Sequence, residues 1–390
     1  MREYLTIRNF GPLAACDGVE LKQVMVLVGE SASGKSTFMK VAALMRYLYK
    51  KANLRSYLKH SGITRKTSGI RLDSMLDRMG LRSMLRPDTL IVYRVEHGET
   101  NYMVVIEGGK LQPLPRIAEG HLQLNKVSYV SEHRNVIPTW AEKSPQRAGA
   151  ALGFYFHETN DDFAQASKQD KHVDLGYLGM TLHVTHPKGR PAQYTVAQDG
   201  TDAEVKLHEA SSGIQLSAPI KVIVEHLANE FSFEDAFKDA ILEDLFENKE
   251  LTKFRPVAEV DGLHRRVDVH VEEPELSLFP DAQCRLTEEL VRTALHPADD
   301  RHVSMMIATH SPYILNFFNI LLNQTAAGRV RLEPGQVGLY RMYGGMIQNR
   351  LVCDEHGRWL ADTDDLTETM AFIYEEFKEL ARSNHDTTMA

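Results

Sequence analysis

The 390-residue chain has few of the features that mark secreted, metal-clustered or membrane proteins. Its three cysteines, Cys16, Cys284 and Cys353, lie far apart and match neither a disulfide framework nor a zinc-ligand spacing. No apolar run reaches the length that crosses a bilayer, and the first residues lack the apolar core of a signal peptide. We therefore expect a cytoplasmic protein with free thiols and no membrane partner.

The charge balance excludes a polycation but leaves room for a local basic surface. The chain has 45 Lys and Arg against 53 Asp and Glu, a net charge of −8, and 43% hydrophobic residues. Its length allows a large buried core. A group of basic residues between positions 50 and 71 forms either a basic patch for nucleic acid, which is a possible partner only through such a patch, or a solvated helix face. These residues are Lys50, Lys51, Arg55, Lys59, Arg65, Lys66 and Arg71.

The stretch "VMVLVGESASGKSTFMKVAALM" (24–45) predicts a phosphate-binding loop. An apolar strand meets a glycine turn that fits G-x-x-x-x-G-K-[ST], and a helical pattern follows. Glycines let backbone N–H groups surround phosphate oxygens, and the helix N-terminus adds partial positive charge. The lysine reaches the outer phosphates, and the serine hydroxyl ligates Mg²⁺. The candidate residues are Gly29, Glu30, Ser31, Ala32, Ser33, Gly34, Lys35, Ser36 and Thr37.

The stretch "VDVHVEEPELSLFPD" (267–281) predicts the acidic partner of that loop. Adjacent glutamates repel each other, and a metal ion would relieve the repulsion. Because a phosphate-binding loop needs a carboxylate at a neighbouring strand end, we expect Glu272 to face Mg²⁺ and Glu273 to face the attacking water. Asp268 and His270 do not fit a parallel strand that is apolar on both faces, so one face of this strand is expected to meet a polar layer.

Three further stretches indicate a family. They are "LTIRNFGPLAA" (5–15), "EASSGIQLSAPI" (209–220) and "MMIATHSPYIL" (305–315). Along the chain the five motifs are "NFGP", the phosphate-binding loop, "SSG", "EEPE" and "THSP". In this order they resemble the motifs of the ABC-type ATPases of the repair and chromosome-maintenance branch. More closely, they resemble bacterial ATPases related to the overcoming-lysogenisation-defect (OLD) family. The resemblance spans residues 4–345 and implies an α/β, ABC-type P-loop fold with a mixed β-sheet core, an N-terminal antiparallel β portion and helical inserts.

The resemblance also implies roles for individual residues. Glu273 takes the position of the catalytic base and His310 that of the switch histidine, which senses the γ-phosphate. Glu272 takes the Walker B position. Arg134 lies in "VSYVSEHRNVIP" (127–138), where it is expected to contact a phosphate or the dimer partner, or else to be a surface arginine. The signature residues are Ser211, Ser212, Gly213 and Gln215, with Ile214 where the family pattern has a second glycine.

In the resembling family the signature of one subunit closes over the nucleotide of another. The resemblance therefore implies ATP and Mg²⁺ as cofactors and a homodimer, or a higher oligomer built from ATP-sandwich dimers. We expect one ABC-type ATPase domain over 1–390. Within it we expect a helical insert at 46–86, a lid and signature region at 145–215 and a second helical insert at 216–250.

Three functions are compatible with these motifs. The first is an ATPase that senses a signal and regulates a separate effector, a nuclease or toxin, in bacterial anti-phage defence. The second is a DNA-repair ATPase that binds DNA directly, and the third, disfavoured by "EEPE" with "THSP", is a transporter subunit. No sustained heptad pattern is present, so we do not expect a full chromosome-maintenance rod. With about 80 residues after "THSP", we also do not expect the Toprim domain that OLD nucleases carry.

Overall fold

The computed structural model describes residues 1–63, 70–141, 153–201, 203–248, 262–299, 301–326, 328–363 and 372–378. Within these ranges the strands are β1 (Arg2–Phe10), β2 (Leu13–Glu20), β3 (Val24–Val28), β4 (Leu90–His97), β5 (Thr100–Glu107), β6 (Lys110–Leu111), β7 (Gln123–Val130), β8 (Lys171–Leu175), β9 (Met180–Thr185), β10 (Gln193–Gln198), β11 (Glu204–Lys206), β12 (His264–Glu272), β13 (Arg301–Thr309), β14 (Val337–Tyr343), β15 (Met346–Asn349), β16 (Leu351–Cys353) and β17 (Trp359–Ala361). The α-helices are α1 (Lys35–His60), α2 (Leu72–Arg78), α3 (Ile137–Ala141), α4 (Phe154–Ala166), α5 (Ser212–Asn229), α6 (Phe233–Asn248), α7 (Pro280–Leu295) and α8 (Pro312–Asn323).

A large mixed sheet organises the molecule. Its strand order is β6-β5-β4-β1-β2-β15-β14-β3-β13-β12-β7. The run from β14 to β7 is parallel, whereas β1 pairs antiparallel with β2 and β4, and β4 pairs antiparallel with β5. This arrangement confirms the expected α/β class with a mixed sheet and an N-terminal antiparallel portion. The parallel run brings the carboxyl ends of β3, β13 and β12 to one edge.

The strand and helix around the phosphate-binding loop form the centre of the fold. All five residues of β3 are buried, because parallel neighbours flank it and both sheet faces are covered. Helix α1 runs unbroken from Lys35 to His60 and is buried on most sides. Residues 46–60 therefore continue this helix, whereas the sequence suggested that a separate insert begins at 46. The short helix α2 follows, and residues 64–69 lie outside the described ranges.

A second, smaller sheet lies before the signature helix. It has the order β11-β10-β9-β8, and the turns between its strands contain Gly189 and Gly200, both at positive φ. Helices α5 and α6 occupy the region predicted as the second insert, up to residue 248. Part of the predicted lid (145–152) lies outside the described residues. Residues 372–378 are helical, and the residues on either side of them lie outside the described ranges.

None of the described helices combines the length and the hydropathy that crossing a bilayer requires.

The polar residues of β12 are explained by a buried charge cluster under the sheet. Asp268 and His270 are both 0% exposed. Asp268 Oδ1 accepts hydrogen bonds from Arg266 Nε (2.9 Å) and Ser304 Oγ (2.6 Å). Burial alone would raise the pKa of Asp268, but the guanidinium groups of Arg266 and Arg46 hold it below its usual range. The polar layer expected from the sequence is therefore present, and its charges are paired.

Arg46 of α1 connects this cluster to the first strand. Its Nη2 donates to Glu3 Oε2 at 2.7 Å, and its Nη1 lies 3.5 Å from Asp268 Oδ1 and 3.3 Å from His270 Nε2. His270 Nδ1 lies 2.9 Å from the Ser128 carbonyl, which can only accept, so Nδ1 carries the proton and Nε2 accepts from Arg46. Burial, and then Arg46, lowers the pKa of His270 to about 3. The cluster thus joins β1, α1, β7 and β12 with a neutral imidazole at its centre.

We predict that Arg46→Met lowers the free energy of unfolding by about 3–5 kcal/mol, because it leaves Glu3 and Asp268 buried with Arg266 as their remaining cation. Urea denaturation followed by circular dichroism measures the change. The control is Arg8→Met, which breaks the solvent-exposed pair of Arg8 with Asp17 and should leave the stability nearly unchanged. Equal losses for the two variants would contradict a structural role for the buried cluster.

Candidate nucleotide-binding site

The loop between β3 and α1 is closely packed at its two glycines. Gly29 has φ +151°, and a Cβ atom there would lie 2.4 Å from the Met342 carbonyl oxygen. Gly34 has φ +101°, and a Cβ there would lie 2.7 Å from Leu13 Cδ2. Neither position tolerates a side chain without movement of its surroundings, so the glycines shape the loop through both conformation and space.

The rest of the loop presents backbone and hydroxyl groups around a buried lysine. Glu30, Ser31 and Ala32 are exposed, whereas Lys35 is only 6% exposed. Lys35 Nζ donates to the carbonyl oxygens of Gly29 (2.7 Å) and Glu30 (2.9 Å). Burial lowers the pKa of Lys35, and nearby carboxylates oppose the shift. The ammonium group therefore lies inside the curve of the loop, where phosphate oxygens would meet it.

The donor set of this loop fits a metal–phosphate group. Ser36 and Thr37 stand in the first turn of α1, which contains no acidic residue to compensate the positive end of the helix. Ser33 Oγ is buried and has no hydrogen-bond partner among the described residues. A buried hydroxyl without a partner is unusual and fits a loop that receives an oxygen-rich ligand. Oxygen ligands from a serine hydroxyl and a carboxylate suit Mg²⁺.

Glu272 is the carboxylate that ends β12 and is 3% exposed. Its Oε1 accepts a hydrogen bond from the Tyr129 hydroxyl at 2.7 Å, and its Oε2 accepts one from the Glu132 backbone N–H at 3.4 Å. These contacts fix the orientation of the carboxylate at the edge of the sheet. The tyrosine was not predicted from the sequence, since nothing local marks it as a partner of a residue 143 positions away.

The structure brings Glu273 and His310 together. Glu273 adopts φ +43°, and its backbone N–H donates to the Ala308 carbonyl at 2.8 Å. The Glu273 carboxylate Oε1 lies 3.5 Å from His310 Nε2, and both side chains are partly exposed. They stand at the carboxyl ends of two adjacent parallel strands. A left-handed backbone at a non-glycine residue is uncommon, and here it turns the carboxylate toward the histidine.

Glu275 is a third acidic residue of the site, to which the sequence assigned no role. Its Oε1 accepts hydrogen bonds from Thr309 Oγ1 (2.8 Å) and from the His310 backbone N–H (2.7 Å). Its Oε2 is buried and meets no hydrogen-bond donor of the described residues. Glu275 therefore ties the turn after β12 to the end of β13 and holds the backbone of His310. Glu275 is the last residue of "EEPE" and is therefore visible in the sequence. Its role is not, because its hydrogen-bond partners lie at the end of another strand.

Arg134 has a different role from the expected phosphate contact, and this corrects the sequence-based assignment. It is 0% exposed, and its guanidinium donates to four backbone carbonyls, namely Ser131 (3.0 Å), Leu216 (2.7 Å), Glu272 (2.6 Å) and Glu273 (2.6 Å). Burial lowers its pKa to about 10, and nearby carboxylates oppose the shift. The residue stays cationic at neutral pH and positions the acidic turn and α5.

The signature residues divide into an exposed pair and a packed pair. Ser211 and Ser212 are exposed at the start of α5. Gly213 is buried, and a Cβ there would lie 2.6 Å from the Ser277 carbonyl oxygen. The Gln215 amide donates to the carbonyls of residues 208 and 210 at 3.1 and 2.7 Å. Gln215 therefore supports the loop before α5, and its contact with a nucleotide of another subunit stays a prediction.

We predict that Glu275→Ala lowers the free energy of unfolding by about 1–3 kcal/mol, because it leaves two donors, Thr309 Oγ1 and the His310 N–H, without their acceptor. Glu275→Gln retains a carbonyl oxygen at the same place and should keep most of this stability. Thermal and urea denaturation compare the two variants. Equal stabilities of the alanine and glutamine variants would show that these hydrogen bonds contribute nothing.

The loop after β3, the acidic turn after β12 and the histidine after β13 lie at one edge of the mixed sheet. No protein-family model matches the chain. No curated protein matches it either.

Several solved structures are similar to the chain over most of its length. One is an SMC head domain from Thermotoga maritima, which is 11% identical; the match covers 90% of this chain and 98% of that one, with a TM-score of 0.35. A second is an SmcHead bound to the C-winged helix domain of ScpA, with 9% identity, coverage of 89% and 97%, and a TM-score of 0.35. A third is an Smc head domain with an extended coiled coil, bound to the C-terminal domain of ScpA derived from Pyrococcus furiosus. It has 9% identity, coverage of 97% and 99%, and a TM-score of 0.35.

Proposed function

We propose that the chain is an ATPase that binds Mg²⁺–ATP at the loop after β3 and hydrolyses it with Glu273. The observation that carries the proposal is the approach of the Glu273 carboxylate to His310 Nε2, at 3.5 Å, beside the strand that leads into the phosphate-binding loop. The parallel strands place the phosphate-binding loop, Glu273 and His310 at one edge of the sheet, where ligands of α/β proteins bind.

The phosphates of ATP would lie on the loop N–H groups and the ammonium of Lys35. The Ser36 hydroxyl and the Glu272 carboxylate would hold Mg²⁺, which supplies charge neutralisation for the phosphates. Tyr129 keeps the Glu272 carboxylate in one orientation. Binding therefore needs the Lys35 ammonium to exchange its two carbonyl contacts for phosphate oxygens.

Glu273 would act as the general base and His310 as its partner. A carboxylate that is about one quarter exposed can reach a water molecule and accept its proton. His310 would donate from Nε2 toward the γ-phosphate and sense its presence. Glu275 supports this step by holding the His310 backbone.

A second copy of the chain would complete the site. Ser211 and Ser212 are exposed at the positive end of α5, where their hydroxyls and N–H groups can meet the γ-phosphate of another subunit. Phe279, which follows the acidic turn, is 81% exposed. A large aromatic side chain in water next to the site favours a protein interface there. ATP would thus join two subunits, and hydrolysis would release them.

We also propose that this cycle regulates a separate effector, a nuclease or toxin, in anti-phage defence. This part rests on the sequence resemblance to OLD-related ATPases. An effector would respond only if its affinity differs between the open and closed dimers. Co-purification of the neighbouring gene product with the Glu273→Gln protein, with and without ATP, tests it. A partner bound equally in both states would refute regulation by the ATP cycle.

We predict that Lys35→Ala abolishes ATP binding because it removes the charge that meets the outer phosphates. Glu273→Gln should keep binding but slow turnover by roughly 10²–10⁴-fold, since an amide cannot accept the proton of the water. Fluorescent-nucleotide binding and phosphate release measure the two effects. The control is Glu107→Gln on β5, which makes the same chemical change on an exposed strand position. Wild-type turnover by Glu273→Gln would refute the assignment of the base.

We predict that Glu273→Gln protein dimerises with ATP and that adding Ser212→Arg weakens this dimer, because a bulky side chain would fill the space beside the partner's nucleotide. Multi-angle light scattering measures the mass. Thr100→Arg, at the exposed start of β5, adds the same side chain elsewhere and should leave the dimer intact. A monomer in the unsubstituted Glu273→Gln background would exclude the composite site.

A further inference from the structure

A cavity lies beside the middle of α1, away from the phosphate-binding loop. It has a volume of about 170 Å³ and lies between α1, β7 and the start of α6. Lys50, which lines it, is 15 residues beyond Lys35, so the two lysines are about 22 Å apart along the helix at 1.5 Å per residue. The cavity is therefore separate from the nucleotide site. We define it by Tyr47, Lys50, Gln123, Asn125, Phe233 and Phe237 and call it the basal cavity.

Aromatic rings form its walls. Phe237 packs edge-on against Tyr57 with ring centroids 5.1 Å apart, and Phe233 packs edge-on against Phe231 at the same separation. These contacts fix the rings, so the walls are already formed. An apolar cavity of roughly 150 Å³ admits one benzene ring. The basal cavity thus has the size and lining for a single planar ring.

Two side chains of β7 bring polar groups to the same cavity. Gln123 is only 6% exposed, and neither its Nε2 nor the buried Asn125 Oδ1 has a hydrogen-bond partner in the described part of the chain. Residues two apart on a strand lie on one face, so the two amides are neighbours. A buried donor and a buried acceptor normally have partners. Here they offer one donor and one acceptor to a ring with a polar edge.

Lys50 brings a positive charge to the cavity. It forms no ion pair with any carboxylate of the described residues, whereas Lys126 is paired with Asp162 at 2.5 Å. Burial, and then repulsion by Lys126 and Lys51, lowers the pKa of Lys50 to about 8, and the carboxylates of Glu158 and Asp162 oppose the shift from longer range. A partly buried ammonium with no carboxylate in direct contact favours an anion that enters from outside.

We propose that the basal cavity binds a small molecule that consists of one planar ring with a polar edge and one anionic group. The ring lies between Tyr47, Phe233 and Phe237. The anion meets Lys50, and the polar edge meets Gln123 and Asn125. This site is independent of the proposed ATPase activity, and ligand binding can be measured without ATP.

Three probes separate the parts of the proposal, and each is titrated into the full chain by calorimetry and saturation-transfer NMR. Orotate has a ring, a polar edge and a carboxylate; benzoate lacks the polar edge, and uracil lacks the carboxylate. We expect orotate to bind more tightly than either.

Lys50→Met should weaken orotate binding by about tenfold or more and leave uracil binding unchanged, because it removes a charge-assisted contact. Gln123→Leu should weaken orotate binding and leave benzoate binding unchanged, because benzoate has no polar edge for Gln123 to contact.

The matched control is Lys59→Met, which removes an exposed lysine from the same helix outside the cavity and should not alter orotate binding. Circular dichroism and thermal denaturation verify that each variant is folded. Failure of all three probes to bind at millimolar concentration would overturn the proposal. So would orotate binding that Lys50→Met and Lys59→Met affect equally.

Discussion

The candidate site depends on one buried cation, the guanidinium of Arg134. It binds the carbonyls of Glu272 and Glu273 at the end of β12, that of Ser131 after β7 and that of Leu216 in α5. Charge-assisted hydrogen bonds to neutral carbonyls offset the cost of its burial, and the nearby carboxylates contribute at longer range. Because the four acceptors come from three segments, the acidic turn cannot move independently of the signature helix.

A second set of buried charges lies on the other face of the sheet. Arg46 and Arg266 together face Glu3 and Asp268, so the cluster has two cations and two anions. Such clusters add little stability compared with well-packed apolar residues, but they require one exact arrangement of partners. The charges set the register of β12 against α1 and β1. The position of the carboxylates at the end of β12 relative to the phosphate-binding loop is therefore also defined.

The sequence predicted those parts of the site whose chemistry is local. The loop at 29–36 was recognisable because its strand, its glycines and its helix are consecutive, and "EEPE" because adjacent acids after an apolar strand are unusual. Asp268 and His270 signalled a polar layer, but their partner Arg46 lies more than 200 positions earlier. The actual contacts of Arg134 and Gln215 depend on tertiary packing. A motif lists residue types, and it cannot say whether a side chain faces the ligand or supports those that do.

Helix α1 connects three places that the sequence treats as unrelated. Its first turn borders the phosphate-binding loop, Arg46 lies in the buried charge cluster, and Lys50 lines the basal cavity. Because α1 is buried along most of its length, it can shift only as a rigid body together with its packed neighbours. Contacts at any of these three places therefore act on the same body. An occupant of the basal cavity would change nucleotide affinity only if α1 has two positions that the occupant distinguishes, and the buried pairs of Arg46 are the contacts that would have to differ between them.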